Sequence, residues 1–176
     1  FGTPEYMRAT QMTGQMARFY GLPMRASGVC AANVPDGQAM WETSNALWSA
    51  VQSGTNMVYH AAGWLEGGLI GSPEKFVMDC EVIQMIQRYM APALTAATPD
   101  DIAIDAIKEV GSQGHFFGTQ HTQDRYENAF YQPIASDWRN FEAWEQAGGE
   151  WTANRAHRIF RNIVADFEPP AMDAAI

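Results

Sequence analysis

The sequence predicts an α/β fold with parallel strands, and three observations carry that expectation. Helical stripes and strand-like pieces alternate as helix, strand, helix, strand, helix at roughly 30-residue intervals, the length of a βα repeat. Three of the helices share one start signal, a hydroxyl residue followed by proline and an acid. After Pro92 the alternation stops and only helical patterns follow.

The first start signal is Thr3-Pro4-Glu5. Tyr6, Ala9, Thr13, Met16, Ala17 and Tyr20 then recur at three- and four-residue steps until Gly21 stops the run. Leu22–Val29 reads as a strand running into a small-residue loop. A second helix starts near Asp36 and carries Met40, Thr43, Leu47, Ala50 and Val51 on one face. Thr55–Ala62 reads as a buried strand that ends in the glycine-rich loop Gly63–Gly71. Ser72-Pro73-Glu74 opens a third helix with Phe76, Cys80, Ile83, Ile86 and Met90 along its stripe. Thr98-Pro99-Asp100 opens a fourth, expected over residues 99–110, and further helical segments are expected near 119–131 and 137–147. A last amphipathic run carries Ala156, Ile159, Phe160, Ile163, Val164 and Phe167. Residues 1–92 are thus expected to hold βα units, and 93–176 a helical region packed on them. Two parallel strands do not make a stable sheet, and a closed (β/α)8 barrel takes ~250 residues, so 176 residues form a piece of one. The start at Phe1, just before a helix, agrees with a chain cut from something longer.

The chain is 47% hydrophobic and 18% charged, a composition that folds, and its net charge is −9. That acid excess, with no Lys/Arg-rich run, argues against nucleic acid as a partner. No run approaches the ~18–20 apolar residues of a membrane span, and no secretory signal opens the sequence. Cys30 and Cys80 form no CxxC and are read as free thiols in a reducing cytoplasm, with a disulfide as the alternative.

Ligands of βα folds sit at the C-terminal ends of the strands, here Ser27–Asp36 and Tyr59–Gly71. The second stretch is chemically richer. Tyr59, His60, Trp64 and Glu66 bring two aromatics, an imidazole and a carboxylate onto a glycine-rich loop, a set suited to a cation, including a quaternary ammonium. The competing reading makes Tyr59 and Trp64 core aromatics and Glu66 a solvated charge. Gly67-Gly68-Leu69-Ile70-Gly71 has no following Lys-Ser/Thr and fails the phosphate-loop pattern. His115 and His121 lack metal-ligand spacing, so no metal is expected. His121, near a helix start, either closes the mouth of the barrel or is a satisfied structural histidine, and His157 reads as a surface residue. Cys30 stands where nucleophiles often lie, but no motif supplies a histidine partner, which favours an inert residue. Cys80, on a helix stripe, reads as core.

His60-Ala61-Ala62-Gly63-Trp64-Leu65-Glu66-Gly67-Gly68-Leu69, followed by Ser72-Pro73-Glu74-Lys75-Phe76-Val77-Met78-Asp79, resembles the signature stretch of the trimethylamine methyltransferase family. Gly21-Leu22-Pro23, Val34-Pro35-Asp36-Gly37-Gln38-Ala39, Glu109-Val110-Gly111, Gly114-His115-Phe116-Phe117 and His121-Thr122 resemble further blocks in the same order. The resemblance implies the C-terminal portion of a TIM (β/α)8 barrel followed by a helical C-terminal tail. It also implies transfer of a methyl group from a methylamine or quaternary amine to the Co(I) of a corrinoid (cobalamin) presented by a separate protein, with no cofactor bound directly. Trimethylamine enzymes of the family carry pyrrolysine. None is written here, and its counterpart is sought in the loop Gly28–Asn33. If Cys30 or a neighbour replaces it, this is a non-pyrrolysine member acting on a quaternary amine of the glycine betaine kind. The expected substrate-binding residues are Tyr59, His60, Trp64, Glu66, Phe117 and His121. Gly28, Cys30 and Asn33 are expected at the corrinoid, in a homo-oligomer. A binding protein that keeps the cationic pocket but transfers nothing is the alternative.

Overall fold

The computed structural model describes residues 1–92 and 98–171, and it is a mixed helix and sheet fold. Helix α1, Pro4–Tyr20, starts at Thr3, whose hydroxyl accepts the Tyr6 N–H at 3.2 Å, and stops where Gly21 turns left-handed at φ 66°. Strand β1 is Arg25–Ser27. Helix α2, Gly37–Gln52, is capped by the Asp36 carboxylate on the Ala39 N–H. Strand β2, Met57–Tyr59, lies parallel to β1, with Arg25 opposite Met57, Ala26 opposite Val58 and Ser27 opposite Tyr59. Helix α1 packs on α2 along a line that Gly14 permits, since a Cβ there would lie 2.4 Å from the Ser53 carbonyl oxygen.

Both strands are shorter than their strand-like sequences, three residues each. Among the described residues the parallel sheet holds only β1 and β2, so the ladder ends as soon as the chain turns toward its loops. Strand β2, expected to be buried, presents Met57 and Tyr59 to solvent and half-buries only Val58, because among the described residues no strand other than β1 pairs with it. The loop after β2 holds structure that its glycines conceal: Trp64–Leu65 (β3) and Ile70–Gly71 (β4) pair antiparallel around a 3-10 turn over Glu66–Gly68.

Helix α3, Pro73–Met90, begins with the Ser72 hydroxyl on the Lys75 N–H at 3.2 Å. The segment expected over 99–110 splits into α4, Pro99–Ile102, and α5, Ile104–Val110, because Ala103 adopts φ 55°. The Thr98 cap is reciprocal, its N–H and hydroxyl donating to the Asp101 carboxylate while Asp101 N–H returns to the hydroxyl. The segment expected over 119–131 contracts to α6, Gln120–Gln123, beyond which Asp124 and Asn128, weak helix formers, lie in successive turns. Asn140 caps α7, Phe141–Gln146, and α8 spans Thr152–Ala165. Among the described residues no strand follows β4.

Two compact units result. One comprises Phe1–Gln84 with the chain from Pro133 onward, and the other Met85–Gln132. In the first, Val77 and Met78 of α3 form a core with Ala135 and Ala156, against which Met40, Ile134, Ile159 and Phe160 pack. The segment 134–136 is fastened to α3 by Glu81, which is 4% exposed. Its Oε2 accepts the N–H groups of Ile134 (3.1 Å), Ala135 (2.5 Å) and Ser136 (3.0 Å), while Oε1 accepts the Ser136 hydroxyl. A second cluster of Cys30, Ala32, Ala39 and Leu65 joins the loop after β1 to α2 and β3. Among the described residues, no helix is long and apolar enough to cross a membrane.

Candidate functional site

The parallel ladder ends in a cavity of about 310 Å³. It is small by the standard of ligand pockets, which run from roughly 300 to 1,000 Å³. Its walls come from the start of α1 (Phe1, Tyr6), from β1 and its loop (Arg25, Ala26, Ser27, Val29), and from His60 and Gly67. Side chains alternate along a strand, so Arg25 and Ser27 share one face with Met57 and Tyr59, while Ala26 and Val58 occupy the other. Arg25 and Tyr59 are diagonal neighbours on that shared face, and the guanidinium carbon sits 4.7 Å from the centre of the Tyr59 ring.

Beyond β2 the chain turns sharply. His60 adopts φ 50°, a conformation uncommon for a residue with a side chain. Its Nδ1 lies 3.3 Å from the Ser27 hydroxyl, and its ring stands between Tyr59 (centroids 5.9 Å) and Trp64 (5.4 Å, edge-on). The Tyr6 hydroxyl reaches across from α1, donating to the Ser27 carbonyl at 3.0 Å and accepting the Ser27 N–H at 3.2 Å. This clamp sets the Tyr6 ring, with the Phe1 ring 5.4 Å away, as an aromatic wall. Gly67 adopts φ 67°, a left-handed conformation that favours glycine, and passes beside the Phe1 ring.

The surrounding loops are held from behind. The Gly67 N–H donates to Cys30 O (2.8 Å), the Glu66 N–H to Ala32 O (3.0 Å), and the Cys30 thiol to Trp64 O (3.3 Å). Glu42 of α2 accepts the Ala31 and Ala32 N–H groups at 2.7 and 3.1 Å. Asp79 of α3 accepts the Gly63 N–H at 2.8 Å and the Lys75 ammonium at 2.5 Å, and Lys75 also donates to Thr43 at 2.7 Å. Lys75, Asp79 and Thr43 are all fully enclosed. Burial pushes the Asp79 carboxyl above its ordinary range, against the pull of Lys75 and the Gly63 N–H.

Of the residues singled out in the sequence, Tyr59, His60 and Trp64 form one run of rings, and His60 lines the cavity. Glu66 enters through its backbone and is not a lining residue. Phe117 and His121 belong to the second unit, where they border an apolar groove of about 480 Å³ with Tyr126, Ala129 and Phe130. His121 is the second residue of α6, and its buried Nε2 has no hydrogen-bond partner among the described residues. Cys30 is wholly enclosed, its thiol raised above the ordinary value chiefly by burial, and both cysteines are free. Gly28 is buried where a Cβ would lie 2.8 Å from Leu47 and 3.0 Å from the Ala61 backbone. Asn33 is exposed. His157 is on the surface, as expected, with Nδ1 2.8 Å from Glu74, and that contact is the main cause lowering the Glu74 carboxyl below its ordinary value. Phe1, Tyr6, Arg25 and Ala26 are the wall residues outside the two stretches named from the sequence, whereas Ser27 and Val29 fall within Ser27–Asp36. Alternation along the first strand could have offered Arg25; no local signal marks Phe1 and Tyr6.

Residues 1–176 match the family described as trimethylamine methyltransferase (MTTB). The chain belongs to this methyltransferase family. A glycine betaine methyltransferase of Desulfitobacterium hafniense (strain Y51) is 36% identical over 176 residues, covering 99% of this chain and 36% of the relative. A trimethylamine methyltransferase of Methanosarcina mazei is 29% identical, and one of Methanosarcina barkeri (strain Fusaro) 28%, each over 99% of this chain and 35% of the relative. The chain therefore spans about a third of the length of these curated relatives.

Proposed function

We propose that this chain is the C-terminal part of a methyltransferase that takes a methyl group from a quaternary or tertiary methylamine of the glycine betaine kind and passes it to a corrinoid carried by a separate protein. The aromatic-walled cavity at the ends of two parallel strands, in a chain of this family, carries the reading. Greater identity to the glycine betaine enzyme than to the trimethylamine enzymes supports a quaternary substrate. On this reading the two strands, with their open edges, are units of a (β/α)8 barrel completed by the rest of the protein, and the relatives' threefold greater length supports that.

The corrinoid supplies Co(I), the nucleophile that receives the methyl group. What remains for the protein is positioning, because a quaternary ammonium already leaves as a neutral amine and needs no general acid. Phe1, Tyr6 and His60 are the ring-bearing residues of the wall that would receive the methylated cation, whose attraction is to ring faces, and Tyr59 and Trp64 flank the His60 ring. Of Gly28, Cys30 and Asn33, the residues expected at the corrinoid, Asn33 is exposed and the other two are buried. Cys30 does not fit a cobalt ligand, its sulfur being enclosed and bonded to Trp64 O. Phe117 and His121 lie in the other unit, where they border a groove of their own.

The test is the full-length protein with its Co(I) corrinoid partner, offered glycine betaine, proline betaine, carnitine and trimethylamine while corrinoid absorbance reports methylation. Demethylation of a quaternary amine is expected. Silence across the panel refutes methyl transfer, and thermal stabilisation by a betaine without turnover would instead identify a binding protein.

A further inference from the structure

We propose that Asp79 is a positioning residue for the transfer: from the body of α3, and through Gly63, it sets where the His60 ring stands in the cavity wall. The inference rests on the reading above and adds to it a residue outside the lining of the cavity. His60 holds φ 50°, a conformation that persists in a residue with a side chain only where the surrounding structure imposes it. On one side the Gly28 N–H holds Tyr59 O at 2.9 Å and the Ser27 hydroxyl lies against the His60 ring. On the other side the fixed point is Gly63, three residues on. Its N–H donates to Asp79 Oδ2 and its carbonyl accepts the Ser72 N–H, both at 2.8 Å, which pins the turn to α3. Trp64, whose ring stands edge-on to His60, follows directly.

Asp79 is itself fixed from α2. The Lys75 ammonium donates to Thr43 Oγ1 at 2.7 Å and to Asp79 Oδ2 at 2.5 Å, and all three side chains are enclosed. Directional contacts thus run from Thr43 through Lys75 and Asp79 to the Gly63 amide. Stability alone does not call for them, because a well-packed apolar pair in place of a buried ion pair is often as stable or more so. What an apolar pair cannot do is accept an N–H. A carboxylate locked in place by Lys75 gives the Gly63 amide one position, and so gives the turn that carries His60 one conformation.

The experiment compares two double variants of the full-length protein, Lys75→Met with Asp79→Asn and Lys75→Met with Asp79→Leu. Both remove the two buried charges, and only the first keeps an oxygen that can accept the Gly63 N–H. Three properties are measured: thermal stability, turnover of glycine betaine with the corrinoid partner, and the imidazole resonances of His60 after histidine-selective labelling. For the Asp79→Leu pair we expect kcat to fall about 10- to 100-fold, the scale of a small misplacement. Kd for glycine betaine should rise less, and the His60 resonances should move, although this pair is as stable as the Asp79→Asn pair or more so. The Asp79→Asn pair should keep the wild-type His60 resonances and most of the turnover. A structural role alone predicts the opposite order, with activity following stability. The proposal is overturned if the two pairs share one kcat and one His60 spectrum, or if the Asp79→Leu pair matches wild type in both. In the unaltered protein the Gly63 amide should exchange slowly with solvent, and fast exchange there overturns the proposal even if neither pair folds. If wild type turns over no amine, the methyl-transfer reading fails, and the His60 spectra still decide the role of Asp79.

Discussion

Replacing Lys75 by methionine tests the support of the site most directly. Lys75 and Asp79 stand one helical turn apart on α3, with side chains 1% exposed, and the Asp79 carboxylate holds the Gly63 N–H at the loop that follows His60. In Lys75→Met the carboxylate keeps one hydrogen bond, and its buried Oδ1 already has no partner among the described residues. Removing one member of a buried ion pair costs about 3–5 kcal/mol. The loss should depend on pH, with a sign that follows from the direction of the shift. The Asp79 carboxyl already sits above its ordinary 3.8, and loss of Lys75 raises it further. A carboxyl raised in the folded state binds more protons there than in the unfolded chain. The penalty is therefore absent below the unfolded value, grows at up to about 1.4 kcal/mol per pH unit, and levels off above the folded value. Urea unfolding at several points between pH 5 and pH 8 should show the variant closest to wild type at pH 5. The double variant Lys75→Met, Asp79→Leu removes the stranded charge and should recover much of the loss. A single variant that costs less than ~1 kcal/mol, a pH-independent deficit, or a double variant as unstable as the single would refute the reasoning.

Three further outcomes are expected. Glu81→Gln should cost about 2–4 kcal/mol, because one charge accepts three backbone N–H groups and a hydroxyl, and it should speed hydrogen exchange at Ala135 and Ser136. Unchanged exchange there would count against the assignment. Gly28→Ala should cost about 1–3 kcal/mol, since the added methyl meets the Ala61 backbone at 3.0 Å. Gly37→Ala, whose Cβ finds only Trp41 at 3.7 Å, is the control and should not destabilise; equal effects of the two in thermal unfolding would show that crowding is not the cause. Cys30, at 0% exposure and with its thiol raised by burial, should resist maleimide in the native protein and react on unfolding. Rapid native labelling at Cys30 would overturn its enclosure.

What the sequence made legible is what it encodes within a few residues. Thr3, Asp36, Ser72 and Thr98 each cap the helix that follows, and a cap needs only its own hydroxyl or carboxylate and an N–H three residues on. The parallel pairing of β1 and β2 followed from a helix between two strand-like pieces. The site was legible in half. His60 was found because it stands in the loop after a strand, where βα folds place their ligands. Tyr6, by contrast, meets Ser27 across 21 positions, Lys75 meets Thr43 across 32, and Glu81 meets Ala135 across 54. No periodicity registers such contacts, which arise only once α1 crosses α2 and α3 folds behind the loops. The break at Ala103 was hidden for the opposite reason: the local pattern favoured a continuous helix, and the backbone departs from it at one residue.

The acid excess also acquires a specific meaning. Glu42, Asp79 and Glu81 each accept backbone N–H groups from a loop: Ala31 and Ala32, Gly63, and Ile134 to Ser136. A carboxylate has two acceptor oxygens and no donor, so one side chain satisfies several loop N–H groups that a sheet with only two strands leaves unpaired. Acids in this chain thus serve as anchors behind the loops, while none lines the cavity that those loops enclose. That division fits the proposed chemistry. Displacement at a methyl group on quaternary nitrogen asks for no general acid. A cavity walled by rings and braced from outside by carboxylates fits a reaction in which the protein positions its substrate and supplies no proton.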